Sequence, residues 1–160
     1  MPRLFVAIWP PDEVLRELVA MPRPAIDGLR WTKPERLHVT LRFLGQCDEA
    51  EIQAALAAAH FPATQATLGP RVKRLGRGVL MIPAQGLDDL AAAVEAAIAP
   101  VGLPPPDHPF TGHLTVARFK RRPPPGYHPT LEASFAVTEI ALVRTEPSGS
   151  YTNVERFTLV

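Results

Sequence analysis

Apolar and polar positions alternate along this chain in ways that mark most of its elements. Residues 3–9, RLFVAIW, form a nearly unbroken apolar run, as a buried strand does, and Pro10-Pro11 stops it. Helical spacing follows over 12–21, with Val14, Leu15, Leu18 and Val19 on one side. Residues 22–34 read as a loop that contains Arg30-Trp31. A strand is predicted over 37–44, closed by Gly45. Asp48 and Glu51 have the spacing of a capping box for an alanine-rich helix over 49–60. Two strands, 64–74 and 78–83, flank a glycine turn, and a second alanine-rich helix spans 87–99. A proline-rich connection, 100–109, leads to a strand at 113–119 and a loop at 120–130. Residues 131–144 and 151–159 then form a final antiparallel pair around Pro147-Ser148-Gly149. The order β-α-β-α-β-β-α-β-β-β, with several hairpins, predicts an α+β fold dominated by antiparallel sheet.

Composition narrows the class. A chain of 160 residues, 46% hydrophobic and 21% charged, is the size of one domain or of two small lobes sharing a core. The net charge of +1 makes no case for nucleic acid, but its distribution says more. No acidic residue lies between Glu51 and Asp88, where Arg71, Lys73, Arg74 and Arg77 occur. None lies between Asp107 and Glu132, where Arg118, Lys120, Arg121 and Arg122 cluster. Two basic segments in a nearly neutral chain suggest a local anionic partner, although each alone also fits a solvated surface. Cys47 is the single cysteine, which rules out an internal disulfide and a cysteine-based zinc site. No run approaches the ~18 apolar residues of a membrane span, and the first residues lack a signal-peptide layout, so a cytoplasmic monomer is expected.

The strand LHVTLRFLG carries candidate chemistry. Strict alternation puts His38, Thr40 and Arg42 on one face and Leu37, Val39, Leu41 and Phe43 on the other. GHLTVARF repeats the unit, with His113 matching His38 and Thr115 matching Thr40. A unit repeated in two halves implies two similar lobes about a pseudo-two-fold axis, the equivalent strands meeting at a shared cleft. Two opposed imidazoles suit the cleavage of a phosphodiester without a metal, one taking a proton from the nucleophile and the other giving one to the leaving oxygen. The threonine hydroxyls are placed to hydrogen-bond the non-bridging oxygens. A metal site would need further ligands, yet no Asp, Glu or Cys lies two residues from either histidine.

With these motifs the chain resembles the 2H phosphoesterases, named for two H-x-T-x motifs, and within them the RNA 2′,3′-cyclic phosphodiesterases, also called 2′-5′ RNA ligases. RLFVAIWP, RW followed by HVTLRFLG, PFTGHLTVARF and SGSYTNVERFTL carry the resemblance over nearly the whole chain. It implies one bilobal domain over 1–160, with antiparallel sheets, outer helices and the active-site cleft between the lobes. His38 would donate a proton to the departing 3′ oxygen and His113 would activate water. Thr40, Thr115 and Arg118 would hold the phosphate. Arg118 stands at an odd offset from Thr115, so an ideal strand would turn it to the wrong face unless a bulge intervenes. Gly112 departs from the proline common before the second histidine and is expected to loosen the entry to the strand. The implied substrate is RNA ending in a 2′,3′-cyclic phosphate, or a small cyclic nucleotide phosphate, with no cofactor and no metal. Ligation by attack of a 5′-hydroxyl is the reverse type of reaction.

Lesser candidates surround these. Arg42 shares the predicted face of His38 and would meet the phosphate or lie solvated at the rim, while Trp31 and Tyr151 would stack on a base or ribose or simply pack in the core or at a lobe edge. Phe5 and Phe43 read as core, Cys47 as structural, and His60, His108 and His128 as having no catalytic role. The rival readings are an RNA-binding module without catalysis, or an enzyme for small cyclic nucleotides or 2′-5′ oligonucleotides. Binding alone has no need of two symmetrically placed titrating groups.

Overall fold

A computed structural model describes residues 1–120 and 129–160. Arg121, Arg122 and His128 therefore lie outside the described residues. Among the described residues three α-helices, α1 (Asp12–Ala20), α2 (Glu49–Ala57) and α3 (Asp88–Ile98), accompany ten strands. The strands are β1 (Arg3–Ile8), β2 (Leu29–Trp31), β3 (Val39–Gln46), β4 (Thr64–Leu68) and β5 (Lys73–Leu75). They continue with β6 (Val79–Gln85), β7 (His113–Phe119), β8 (Ala133–Val137), β9 (Glu139–Thr145) and β10 (Tyr151–Thr158). Each helix has a chemical reason to start. Asp48 Oδ1 caps α2 by accepting from the Glu51 amide at 3.0 Å, and acidic residues occupy the first turns of α1 and α3. Their apolar stripes, such as Leu90, Val94 and Ile98 in α3, pack into the main core on the outer face of the sheet. Among the described residues no helix is long and apolar enough to cross a membrane.

The sheet is antiparallel throughout and runs β10-β9-β1-β3-β7-β6-β4-β8, with β2 beside β7 and β5 beside β6. Its order is symmetric: β3 and β7 meet at the centre, and β1 and β6 flank them. The central strands pair at Val39 and Leu114, equivalent residues of the two repeats, as a pseudo-two-fold axis between them requires. Two halves of four strands each thus make one curled sheet with its helices outside, as the repeat implied.

The central strands depart from ideal alternation at equivalent places. Across from β1, Thr40 faces Ala7 and Arg42 faces Val6, which leaves Leu41 as an extra residue. Across from β6, Thr115 faces Met81 and Ala117 faces Leu80, which leaves Val116 extra. A bulge of this kind shifts the phase of every later side chain. Arg42 consequently turns away from His38 and Thr40, contrary to the alternation read from sequence. It is 9% exposed, with Nε on Glu95 of α3 at 2.5 Å and its other nitrogens donating to the carbonyls of Phe43 and Pro104 at 2.7 Å. Phe43 turns the other way, onto the inner face, and is 57% exposed rather than core. Arg118 is its counterpart in β7, exposed on the same face as Thr115. The bulge that Arg118 needed is present.

Four boundaries also differ. Residues 29–31 form the strand β2 within the predicted loop. The predicted strand 64–74 breaks at Gly69, whose φ is +119° and where a Cβ would stand 2.0 Å from the Leu131 carbonyl oxygen. The predicted strand 131–144 breaks at Thr138, and its parts join opposite halves, β8 on β4 and β9 on β1. The residue pattern changes there, Thr138 and Glu139 both being polar and Ile140 to Val143 all apolar, but it records which face a residue occupies and not which strand it pairs with. Gly45, expected to end β3, lies within it at φ +70°, next to a second extra residue, Leu44.

Arg42 generates a stability test. Arg42→Ala strips the partner from Glu95 and leaves two carbonyls without their donor. Because Glu95 stays 40% exposed and can rehydrate, the loss should be about 2 kcal/mol, below the ~3–5 of a fully buried pair. Urea unfolding reads this as a lower midpoint at unchanged slope, whereas an unmoved midpoint would show the buried guanidinium to be dispensable.

Candidate active site

On the inner face of the sheet the central strands bring both repeats together. Continuing the antiparallel register one residue either side of Val39–Leu114 sets His38 beside Thr115 and Thr40 beside His113. Both imidazoles are held in the same way. His38 Nδ1 lies 2.6 Å from the Arg36 carbonyl oxygen and His113 Nδ1 lies 2.7 Å from that of Thr111, in each case two residues upstream. A carbonyl only accepts, so each Nδ1 carries the proton and each Nε2 is left for exchange. Thr40 Oγ1 lies 3.0 Å from His38 Nε2 and donates to it while the ring is neutral.

His38 is half-buried among aromatic rings. Phe5, Trp9 and Tyr151 have centroids 5.0, 5.4 and 5.5 Å from its own, with Tyr151 edge-on. Tyr151 is fixed in turn by Arg36, which donates to its hydroxyl at 2.8 Å and sits 4.5 Å over its ring centroid. Trp9 is fixed by donating from Nε1 to Asn153 Oδ1 at 2.8 Å. Phe43 extends the group, coplanar with Phe5 at 6.5 Å. Burial pushes the His38 imidazole below its ordinary value. The hydrogen bond to the Arg36 carbonyl opposes that push, and the charges of Arg36, His113 and Arg118 reinforce it. A cavity of about 550 Å³ adjoins the cluster and shares Trp9 and Tyr151, but neither histidine lines it.

His38, Thr40, His113, Thr115, Arg118 and Tyr151 thus gather on one face. Arg42 and Trp31 do not join them. Trp31 pairs with Ala117 and, through it, Leu80, a row that faces the main core, and its indole donates to the Pro24 carbonyl at 2.9 Å. Arg36 and Thr111 escaped the sequence reading, although their shared place two residues before each histidine was a usable signal. Trp9, Asn153 and the inward turn of Phe43 escaped it because they depend on partners and on the bulge.

Gly112 does not loosen the strand. It accepts from the Ala84 amide at 2.9 Å, and a Cβ there would stand 2.1 Å from the Ala84 carbonyl oxygen. Glycine is what lets β7 close on β6 next to His113. Cys47 is buried, its thiol pushed upward by burial and by Asp48 and Glu51, which makes it a poor nucleophile. His60 and His108 are exposed and away from these contacts. Among the described residues no group of three or more His, Cys, Asp or Glu could hold a metal ion.

Comparison with known proteins points the same way. Residues 10–149 match the family model of the 2′-5′ RNA ligase superfamily. The RNA 2′,3′-cyclic phosphodiesterase of Thermus thermophilus is 34% identical over 98% of this chain and 90% of its own. That of Archaeoglobus fulgidus is 30% identical over 76% and 75%. The crystal structure of E. coli LigT complexed with 3′-AMP superposes with a TM-score of 0.84 at 26% identity, covering 99% of this chain and 98% of that one.

The environment of His38 makes a measurable prediction. In the free protein its NMR titration midpoint should lie below about 6.5, the value of an unperturbed imidazole. Inorganic phosphate in the cleft favours the imidazolium and should move that midpoint upward. A free midpoint at or above the ordinary value would contradict the burial and the cationic surroundings.

Proposed function

The chain belongs to the 2′-5′ RNA ligase superfamily, and from that premise we propose that it is a metal-independent RNA 2′,3′-cyclic phosphodiesterase that leaves a 2′-phosphate. The observation that carries this reading is the matched pair of Nδ1–H···O=C bonds, which commits both Nε2 atoms to proton exchange. His113, neutral, takes a proton from water at Nε2 as the water oxygen attacks phosphorus. The P–O3′ bond breaks, and protonated His38 gives its Nε2 proton to the departing oxygen while its Nδ1–H goes on donating to the Arg36 carbonyl. Thr40, Thr115 and Arg118 donate to the non-bridging oxygens as negative charge builds. The walls around His38 suit a nucleoside: Tyr151 and the exposed face of Phe43 offer surfaces for a ribose or base. A 5′-hydroxyl in place of water would give ligation by the same proton transfers. The whole chain is read as one bilobal unit, monomeric and cytoplasmic.

Product analysis tests the reaction. RNA ending in 2′,3′-cyclic phosphate should yield a 2′-phosphate by phosphorus NMR, and excess EDTA should leave the rate unchanged. A 3′-phosphate would reverse the leaving group, and a loss restored by zinc or manganese would remove the metal-free mechanism.

Removing the proton carriers tests the assignment. His38→Ala and His113→Ala should each cost about 10²–10⁴-fold in kcat with the fold intact. The double variant should be far less than multiplicatively worse, because the two act as a unit. The wild-type profile should be bell-shaped, because His38 must carry its proton and His113 must be neutral at the same time. Substrate phosphate raises the His38 value, so the alkaline limb of kcat should lie at higher pH than that of kcat/KM. Near wild-type turnover in either single variant would show that the histidines do not act as a pair.

A further inference from the structure

The inner face carries more positive charge than this chemistry uses. Arg30 of β2 lies directly across from Arg118, and Val79 lies on the other side of Arg118 in the same row. The next row, Trp31, Ala117 and Leu80, faces the core, so Arg30 shares the inner face with Arg118. Lys73 reaches that face too, opposite Met81, which in turn lies opposite Thr115. Like charges directly opposed across a sheet are destabilising. Yet Arg30, Lys73 and Arg118 are all exposed, and among the described residues none of their side chains makes an ion pair or hydrogen bond. Such an arrangement is relieved by an anion lying over it.

We propose that Arg30, next to Arg118, binds the phosphodiester phosphate that precedes the terminal cyclic phosphate, so that the site recognises the end of an RNA chain rather than a cyclic mononucleotide. This rests on the phosphodiesterase reading above. Arg118 serves the terminal phosphate, and Arg30, one strand further out, stands where the chain leaves. The opposite end of the cleft cannot take that chain. The cavity past Trp9 and Tyr151 is lined by Asp12, Glu35 and Glu139, and its one cation among the described residues, Arg156, is held by Glu139 at 2.6 Å. A polyanion is repelled there and drawn towards Arg30. The planar fork of a guanidinium also suits two oxygens of one phosphate.

The test compares kcat/KM for a short RNA and for a nucleoside, each ending in 2′,3′-cyclic phosphate. Arg30→Gln should lower the RNA value about 10-fold, the weight of one charge-assisted hydrogen-bond contact, and leave the nucleoside value unchanged. The salt dependence of the RNA value should flatten by about 0.7 in log–log slope, one phosphate contact's worth on a single strand. Arg30→Lys should keep the salt slope and recover part of the rate, and the unchanged nucleoside rate shows that both variants are folded. Equal loss on both substrates, or no loss on RNA, overturns the proposal. Should the wild type hydrolyse neither substrate, the phosphodiesterase reading fails. The binding of a 2′-phosphorylated RNA, measured by fluorescence titration, then decides Arg30 alone: weaker in Arg30→Gln supports it, and equal overturns it.

Discussion

One extra residue in each central strand, Leu41 in β3 and Val116 in β7, determines which side chains reach the cleft. Before the bulge, alternation presents a histidine and a threonine inward. After it, two consecutive residues face the core, and the inward position passes to Phe43 in one strand and Arg118 in the other. The two halves therefore share their reactive groups and differ in what lies past them. One offers an aromatic surface and the other a cation.

The same backbone sets the imidazoles. Neither ring relies on a carboxylate for its tautomer; each uses a carbonyl two residues upstream, which stays an acceptor at every pH. The surroundings of His38 add a preference of their own. Burial and nearby cations favour its neutral form, and an anion in the cleft would shift it towards the imidazolium.

Most of this was legible from the chain. His38, Thr40, His113 and Thr115 stand out because strand periodicity and a repeated motif are written directly in the residue order, and the repeat also implied the two halves. The failures have a common origin. Arg42 looks like a neighbour of His38 only while the period is assumed unbroken, and Phe43 looks like core for the same reason. Trp31 belongs to β2, a three-residue strand too short to show a period, so its face follows from its pairing with Ala117. The break at Thr138 is marked only by the consecutive polar residues Thr138 and Glu139 and by the apolar run after them, which is buried on both faces of β9. Gly112 was weighed by what it lacks, whereas its role comes from the Ala84 carbonyl against it.

The crossing at Thr138 bears on how the molecule is made. Strands β4, β6, β7 and β8 are consecutive along the chain apart from the small β5, so the half that holds His113 is complete once Val137 has been synthesised. The half that holds His38 is not. One edge of β1 waits for β9, and the aromatic wall waits for Tyr151. Contacts of such long sequence separation form late, and an open strand edge is sticky while it waits. The growing chain thus finishes one histidine's half first and carries the other as an unfinished edge, so the cleft comes into being only as the last strands dock.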